Sequence, residues 1–301
     1  MQTAKTRVVV TGANGYLGKV LLSSLVESAD AVLCLGQRKP DEVSDRLEFC
    51  HVNLLQEIPQ AALLAFQPTH LIHLAWIADH GVFWESPLNN LWVDATETLV
   101  LAFGEAGGKH VTVTGSCAEY TWNETPCDEA RSETRPSTLY GRAKLACLER
   151  TREQCERLDL ELAWARVFFP YGRIENPKRL VPQVYTALKS QSRLEVCGEL
   201  QRDFLFIDDA VSAVLHLALN RLIGVYNVSS GRAVELKELV QVMASVLAVP
   251  SDCITFNKLK PGTQPKLLLG INQKLLATGW RENFDLWAGL GLVNQTIISG
   301  K

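Results

Sequence analysis

Near the start of the chain lies the segment Thr11-Gly12-Ala13-Asn14-Gly15-Tyr16-Leu17-Gly18, which gives the strongest indication of the fold. It follows an apolar run at residues 8–10 and precedes an amphipathic pattern over residues 18–28. A strand, a turn with three regularly spaced glycines and a helix, in this order, are typical of a dinucleotide site. Glycines allow the tight turn and the close approach of a pyrophosphate, which then lies at the helix N-terminus. We therefore predict a dinucleotide-binding turn.

Strand-like and helix-like segments alternate from this turn onward. Because the strands read as near-continuous apolar runs, we predict an α/β fold with a doubly wound parallel (Rossmann) sheet. The predicted strands lie at 31–35, 47–52, 71–75, 111–116 and 158–168, and the predicted helices at 63–66, 90–106 and 137–157. Prolines interrupt shorter elements after Pro170, and residues 258–266 are expected to form a loop. We predict a dinucleotide-binding domain over 1–172, to which 203–230 return, and a smaller substrate-binding lobe from 173–202 and 231–301.

Composition narrows the class of protein. The 301 residues are 47% hydrophobic and 21% charged, which is typical of a globular protein. The net charge of -3 gives no basic surplus for nucleic acid or an anionic membrane. No apolar run is long enough to span a bilayer, and residues 1–7 do not resemble a signal peptide. The eight cysteines form no Cys-x-x-Cys pair, so we expect reduced thiols, no metal and a cytoplasmic location.

The end of the second predicted strand bears on the choice of dinucleotide. NAD sites usually place a carboxylate there to hold the ribose hydroxyls, but this chain has Gly36, followed by Arg38 and Lys39. Arg38 could accept a 2′-phosphate in a bidentate fashion, or it could simply be solvated on a loop. The missing acid and the arginine together favour NADP(H), with NAD(H) still possible.

A tyrosine and a lysine lie one turn apart on a predicted helix, in Tyr140-Gly141-Arg142-Ala143-Lys144. An ammonium beside a phenol favours the phenolate, so such a tyrosine can exchange a proton with a carbonyl or an alcohol near neutral pH. Ser116 ends the preceding strand, at the edge of the sheet where ligands bind in this architecture. We predict that Ser116, Tyr140 and Lys144 are the catalytic residues.

These motifs resemble the extended short-chain dehydrogenases/reductases, also called the NAD-dependent epimerase/dehydratase family. Further matches run along nearly the whole chain: His73-Leu74-Ala75-Trp76, Pro170-Tyr171-Gly172, Arg202-Asp203-Phe204 before Asp208-Asp209, Tyr226-Asn227-Val228 and Gly279-Trp280. The resemblance implies an enzyme that uses a nicotinamide cofactor. It also implies a homodimer formed through the helices near 90–106 and 137–157. The implied cofactor contacts are Gly12, Asn14, Gly15, Tyr16, Leu17, Gly18, Arg38, Asn53, Leu54, Leu74, Ala75, Trp76, Tyr140, Lys144 and Pro170.

Departures from the family's patterns indicate what the chain does not do. The family's 4,6-dehydratases carry Thr-Asp-Glu where this chain has Ser116-Cys117-Ala118, so the acid and base that eliminate water are missing. Fucose-type epimerase-reductases place a catalytic cysteine at the position of Ala118, so we expect Cys117 only to pack or to line the substrate pocket.

Two positions bear on the substrate diphosphate. Sugar-nucleotide 4-epimerases often contact it through an asparagine where this chain has Phe169. Arg202 matches an arginine that often grips the diphosphate, although it could instead pair with Asp203 or Asp208.

Asn53 stands where an aspartate often meets the adenine amino group, and its amide oxygen could still accept that hydrogen bond.

Aromatic residues follow the fourth predicted strand and also Ser116. His80 and Trp84, with Trp76 and Phe83, could stack on a sugar or a base, or they could form a core patch or a dimer contact. Glu119 is predicted to bind substrate hydroxyls.

The sequence predicts an NADP(H)-dependent reductase of a keto group on a nucleotide-activated, 6-deoxy sugar. The NADP preference favours net reduction, because epimerases of this family retain tightly bound NAD. Three alternatives stay open: an epimerase with bound NAD, a reductase of a carbonyl metabolite without a nucleotide, and a non-catalytic NADP-sensing regulator.

Overall fold

A computed structural model describes residues 5–260, 262 and 264–299. The chain divides into two compact units: the first contains Met1–Tyr120, Thr134–Arg166 and Val211–Tyr226, and the second contains Thr121–Glu133, Val167–Ala210 and Asn227–Lys301. These boundaries differ from the predicted ones. Residues 121–133 and 167–172 belong to the second unit, and only part of 203–230 returns to the first.

Over the described residues, seven strands form the central sheet: β1 (Arg7–Thr11), β2 (Ala31–Gly36), β3 (Leu47–His51), β4 (His70–His73), β5 (His110–Ser116), β6 (Glu161–Val167) and β11 (Gly224–Val228). Their order from one edge to the other is β3-β2-β1-β4-β5-β6-β11. The pairings β2–β3, β1–β2, β1–β4 and β4–β5 are parallel, which confirms the predicted doubly wound α/β fold.

Helices follow the strands of the first unit and supply the apolar side chains that cover the sheet. In helix α3 (Leu88–Glu105) the buried residues Val93, Thr96, Val100 and Phe103 recur at helical spacing, so one stripe faces the core. The strands contribute side chains such as Val111, which is fully buried. The helices are α1 (Tyr16–Ser28), α2 (Gln60–Phe66), α3 (Leu88–Glu105) and α4 (Leu139–Arg157), and α6 (Ile207–Leu219) enters this unit from the second.

The second unit is built from short strands and helices. A buried carboxylate ties its loops together, since Asp203 accepts hydrogen bonds from the amides of Ser230, Gly231 and Gly270 and from the Ser230 hydroxyl. Burial raises the pKa of Asp203 to about 6. The elements are β7 (Phe169–Tyr171), α5 (Leu180–Ser190), β8 (Leu194–Cys197), β9 (Gln201–Arg202), β10 (Phe204–Phe206), β12 (Val234–Glu235), α7 (Leu236–Leu247), β13 (Ile254–Asn257), β14 (Leu267–Leu268), α8 (Gln273–Ala277) and α9 (Leu286–Ser299).

Among the helices that the structure describes, none combines the length and the apolar character needed to cross a membrane. The homodimer implied by the resemblance stays a prediction.

Two histidines are buried at the start of β4 and β5, far along the strands from the glycine turn. Their rings lie 5.9 Å apart, His70 is 8% exposed, and His110 is fully buried. Burial, followed by the proximity of His110 and of Arg221, lowers the pKa of His70 to about 4, against a smaller raising effect of Glu161. Burial also lowers the pKa of His110. Both rings are therefore neutral in the folded protein at neutral pH.

We predict that these histidines make the fold sensitive to mild acid. Between pH 6.5 and about 4 the unfolded chain binds protons that folded His70 does not, so the free energy of unfolding falls as the pH falls. The contribution of one such histidine is at most about 1.4 kcal/mol per pH unit. Urea unfolding measured at several pH values in this range should show that the free energy of unfolding depends less steeply on pH in His70→Gln than in the wild type. The exposed His51→Gln is the matched control, and an unchanged slope in His70→Gln would contradict the prediction.

Candidate active site

The glycine turn is packed against neighbouring backbone, which leaves no room for side chains at two of its glycines. Gly12 has a φ of +73°, and a β-carbon on it would lie 2.7 Å from the Ala75 nitrogen. A β-carbon on Gly18 would lie 2.1 Å from the Gly12 oxygen. The Gly15 amide donates to that same oxygen at 2.9 Å, which closes the turn. The glycine pattern read from the sequence thus has a steric cause at Gly12 and Gly18.

Helix α1 begins directly after this turn, at Tyr16. Its N-cap, Gly15, provides no capping side chain, and its first turn contains no acidic residue. An uncapped, uncharged helix N-terminus suits an anion, because backbone N–H groups and the helix dipole both favour negative charge there. The turn and the start of α1 therefore fit the pyrophosphate of a dinucleotide.

The end of β2 lies beside the glycine turn. The Asn14 side-chain amide donates to the backbone oxygen of Arg38 at 2.6 Å, which joins the turn to the loop after β2. Arg38 is exposed, and a β-carbon on Gly36 would meet no atom within 4 Å. The position where an NAD-binding protein would carry its carboxylate is therefore open space.

The predicted adenine contacts have different surroundings. Asn53 is half-buried, and its side-chain oxygen accepts the Leu55 amide hydrogen at 3.3 Å. Leu54 is 6% exposed and belongs to the apolar core. Their contacts with a cofactor stay predictions.

A neutral histidine joins the ends of β1 and β4. Thr96 donates its hydroxyl hydrogen to the Trp92 oxygen at 2.7 Å, so it must accept from His73 Nε2, which lies 2.9 Å away. His73 Nδ1 then accepts from the Thr11 hydroxyl at 2.7 Å, and Thr11 Oγ1 accepts the Ala75 amide hydrogen at 3.2 Å. Burial and the nearby Lys144 lower the pKa of His73 to about 3, in keeping with a neutral ring. This network fixes residues 74 and 75 against Gly12.

Ser116 ends β5 and begins a tight turn over Cys117–Glu119. Its Oγ accepts the Ala118 amide hydrogen at 3.1 Å, and its own amide donates to Glu119 Oε1 at 2.7 Å. Because the hydroxyl oxygen is the acceptor in the contact with Ala118, its hydrogen can be donated to another group. Cys117 is 6% exposed and packs within this turn.

Helix α4 lies close to the turn after β5 because it carries a glycine at the point of contact. A β-carbon on Gly141 would lie 2.3 Å from the Ala118 oxygen, so any larger residue would push the helix away. Thr138 caps the helix by accepting the Gly141 amide hydrogen at 3.0 Å. The structure thereby brings the helical turn that contains Tyr140 and Lys144 next to the end of β5, where Ser116 lies.

Lys144 is a buried cation. Its ammonium, in a residue that is 3% exposed, donates to the Thr114 oxygen at 2.8 Å and lies 3.7 Å from the centre of the Trp76 ring. Burial lowers the pKa of Lys144 to about 8. The Trp76 indole is itself held in place, because its N–H donates to Asn89 Oδ1 at 2.8 Å.

Tyr140 is half-buried beneath aromatic rings of the segment between β4 and α3. The Phe83 and Trp84 rings meet it edge-on, with centroids 4.9 and 5.7 Å from that of Tyr140. Glu85 Oε1 accepts the Leu139 amide hydrogen at 3.3 Å, which holds the segment on the start of α4. Trp84 is 37% exposed and His80 is exposed, so both are open to a ligand, and their predicted substrate contacts stay predictions.

The structure corrects the role predicted for Glu119. Its carboxylate is fully buried and accepts hydrogen bonds from the Ser116 amide, the Trp164 indole and the Arg166 guanidinium. A side chain with no exposed surface and with donors on both oxygens has no group left for a substrate hydroxyl. We therefore withdraw the prediction that Glu119 binds substrate.

The predicted diphosphate contact, Arg202, belongs to the second unit and is 6% exposed. Its four terminal N–H groups donate to protein oxygens, namely the backbone oxygens of Gln201, Pro265 and Lys266 and the side-chain oxygen of Gln264. A substrate phosphate would have to replace these acceptors.

Asp203 and Asp208, the alternative ion-pair partners predicted for Arg202, bind other groups in the structure. Asp208 pairs with Arg173, and Asp203 accepts the four hydrogen bonds described above. In the same unit Phe169 lies beside Arg202, with 5.7 Å between the ring centre and the guanidinium, and Pro170 is buried in β7.

Several residues that shape the site were not predicted from the sequence. Trp164 and Arg166 lie more than 40 residues from Glu119, and no local pattern joins them to it. The glycine after Tyr140 was a usable signal, because a glycine inside a helix often marks a close approach. Among the described residues, no group of three His, Cys, Asp or Glu side chains is placed to hold a metal ion.

Comparison with known proteins assigns the family. The model of the NAD dependent epimerase/dehydratase family matches residues 8–229, which is more than half of the chain. The chain belongs to this family. The resemblance read from the motifs is thereby confirmed, as is, at the level of the family, the prediction of an oxidoreductase that depends on a nicotinamide dinucleotide.

Members of the family with assigned activities align with nearly all of the chain. CDP-abequose synthase of Salmonella typhimurium is 25% identical, and the match covers 96% of this chain and 98% of that protein. The dTDP-4-dehydro-6-deoxyglucose reductase of Escherichia coli is 22% identical, with 99% of both chains covered. Among solved structures, the UDP-N-acetylglucosamine 4-epimerase of Methanobrevibacter ruminantium M1 has a TM-score of 0.88 at 21% identity and covers 99% of this chain and 100% of its own. This last similarity supports the fold alone.

We predict that the turn tolerates no side chain at Gly12. Gly12→Ala combines a left-handed backbone with a β-carbon that overlaps Ala75, so the free energy of unfolding should fall by about 2 kcal/mol or more. The matched control is Gly36→Ala, whose β-carbon meets no atom, and it should change stability by less than about 0.5 kcal/mol. Chemical unfolding of both variants tests this, and equal stabilities would contradict it.

Proposed function

We propose that this family member is an NADP(H)-dependent reductase of a keto group on a nucleotide-activated 6-deoxy sugar. The observation that carries the proposal is the buried Lys144 ammonium, one helical turn from Tyr140 and hydrogen-bonded to the backbone of the strand that ends at Ser116. Two relatives that align along nearly their whole length support the substrate class, since their names specify a CDP-sugar synthase and a dTDP-keto-sugar reductase.

Each of the three residues has a role that its surroundings support. The Tyr140 hydroxyl donates a proton to the carbonyl oxygen of the substrate as the carbonyl becomes an alcohol. The Ser116 hydroxyl donates a hydrogen bond to the same oxygen, which its acceptor contact with Ala118 leaves it able to do. The Lys144 ammonium, desolvated and unable to reach bulk water, favours the phenolate form that Tyr140 reaches after giving up its proton. A bound dihydronicotinamide would supply the hydride for the carbonyl carbon.

The preference for NADP(H) rests on the end of β2. Gly36 offers no carboxylate to the ribose hydroxyls and leaves the space beside it open, while the exposed Arg38 provides a cation for a 2′-phosphate. The Gly12–Gly18 turn and the start of α1 would hold the pyrophosphate.

An epimerase is the second candidate. It is favoured by a full-length relative, the dTDP-L-rhamnose 4-epimerase of Burkholderia thailandensis, which is 20% identical over 95% of this chain and 93% of that protein. An epimerase oxidises and then reduces its substrate with retained NAD, so it consumes no added reductant, whereas the proposed reductase does.

The reductase proposal predicts that NADPH is oxidised when the protein meets a dTDP-4-keto-6-deoxyhexose. Tyr140→Phe should lower kcat by about 100-fold or more, because it removes the proton donor and keeps the ring that packs against Phe83 and Trp84. The decrease in nicotinamide absorbance measures the rate of the reaction. The control variant is Tyr226→Phe, which changes a tyrosine on β11. Turnover in Tyr140→Phe at the wild-type rate would rule out the assigned role, and epimerised product without NADPH loss would favour the second candidate.

The cofactor proposal predicts tighter binding of NADPH than of NADH. Arg38→Ala should weaken NADPH binding by roughly 10-fold or more and leave NADH binding unchanged, because only the 2′-phosphate loses a charge-assisted hydrogen bond. Lys39→Ala removes the same charge one residue further on and should change either affinity by less than about twofold. Fluorescence titration of both cofactors gives the dissociation constants, and a wild type that prefers NADH would overturn the proposal.

A further inference from the structure

The carboxylate of Glu119 has no part in the steps proposed above, yet it is the most enclosed charged group beside Ser116. It is fully buried, and the side chain of its ion-pair partner Arg166 is only 4% exposed. Oε1 accepts the Ser116 amide hydrogen at 2.7 Å, and Oε2 accepts Arg166 Nε–H at 2.7 Å. The Trp164 indole N–H lies 3.0 and 3.1 Å from the two oxygens.

A carboxylate satisfies this arrangement at both of its oxygens. N–H donors face both oxygens, and a carboxylate accepts at both, whereas an amide must place its NH2 group against one of the donors. The charge is matched by Arg166, whose guanidinium also lies 4.3 Å from the centre of the Tyr120 ring. A buried ion pair of this kind is tolerated when every donor and acceptor around it is used.

The surrounding chain is shaped to admit this carboxylate. A β-carbon on Gly115 would lie 2.1 Å from Trp164 Nε1 and 2.4 Å from Glu119 Oε1, so the residue before Ser116 must be a glycine. Glu119 and Ser116 also form a reciprocal capping box, in which the serine oxygen faces the turn and the glutamate holds the serine amide. The position of Ser116, and with it the position of its hydroxyl, is therefore set by the hydrogen bond between its backbone amide and Glu119.

We propose that Glu119, with Arg166, is a positioning residue that holds Ser116 in the orientation needed to polarise the substrate carbonyl. This inference rests on the proposed function, which assigns that role to Ser116. Glu119 touches neither a substrate nor a cofactor in this account and acts only through the Ser116 backbone.

The test compares kcat of Glu119→Gln in two backgrounds, the wild type and Ser116→Ala, with NADPH and a dTDP-4-keto-6-deoxyhexose. In the wild type we expect kcat to fall about 10- to 100-fold with KM changed less than about threefold, because the donor is displaced and binding is kept. In Ser116→Ala the same substitution should lower kcat by less than about twofold, because the group through which Glu119 acts is gone. Equal losses in both backgrounds, or no loss in either, would overturn the proposal.

A matched control separates positioning from the general cost of losing a buried carboxylate. Glu175, in the second unit, has a side chain that is 3% exposed, pairs with Arg179 and accepts the Gly172 amide hydrogen. Glu175→Gln should leave kcat within about twofold of the wild type. A loss of kcat equal to that of Glu119→Gln would assign the effect to stability and overturn the proposal.

Amide hydrogen exchange distinguishes this proposal from the proposed function. In Glu119→Gln the Ser116 amide should exchange faster than in the wild type, while the amides of β1 stay protected. If the wild type reduced no keto-sugar nucleotide with either cofactor, the proposed function would fail, and exchange at Ser116 would still decide whether Glu119 holds this residue. Unchanged exchange would overturn the positioning proposal by itself.

Discussion

Close contact between glycine residues and the backbone of neighbouring segments holds the active-site region together. Gly12 lies against residues 74 and 75, Gly18 lies against Gly12 itself, and Gly141 lies against Ala118. Each contact would be blocked by a single β-carbon. The first two shape the turn before α1, and the third sets how closely α4 approaches the end of β5. The three glycines therefore position elements that are distant in the sequence.

Buried polar groups complete what the glycines begin. His73 is neutral and uses both ring nitrogens to join β1, β4 and α3, and the Glu119 carboxylate uses both oxygens to join β5 and β6. Lys144 is desolvated and bears its charge against a backbone oxygen and the Trp76 ring. These hydrogen bonds tie the strand ends and the helical turn at the site to one another. The proposed chemistry needs such order, since a carbonyl must meet two donors at once.

Local patterns in the sequence were sufficient to predict the sheet, the glycine turn and the tyrosine–lysine pair. The near-continuous apolar runs reflect burial of the strands on both faces, and the glycine spacing reflects steric contacts that any residue with a β-carbon would break. The pair could be predicted because both residues lie on one helix, where their spacing fixes their separation.

The remaining features depend on partners that are remote in the chain. In the sequence Glu119 is a polar residue beside the predicted site, and only its contacts with Trp164 and Arg166 in the structure show that it is enclosed. Arg202 reads as a phosphate-binding cation, although backbone oxygens of Pro265 and Lys266 accept its hydrogen bonds. The two compact units also differ from the predicted domains, because residues 121–133 belong to the second unit although residues of the first unit come before and after them in the chain.

In the proposed reaction, hydride passes from NADPH to the carbonyl carbon of a nucleotide-linked sugar and remains in the product. The most direct measurement uses NADPH labelled with deuterium at the transferable position, a dTDP-4-keto-6-deoxyhexose and mass spectrometry of the sugar nucleotide formed. We expect one deuterium on the carbon that bore the keto group, together with one oxidised cofactor for each product molecule. An epimerised sugar nucleotide without deuterium, formed while the added NADPH stays reduced, would contradict it.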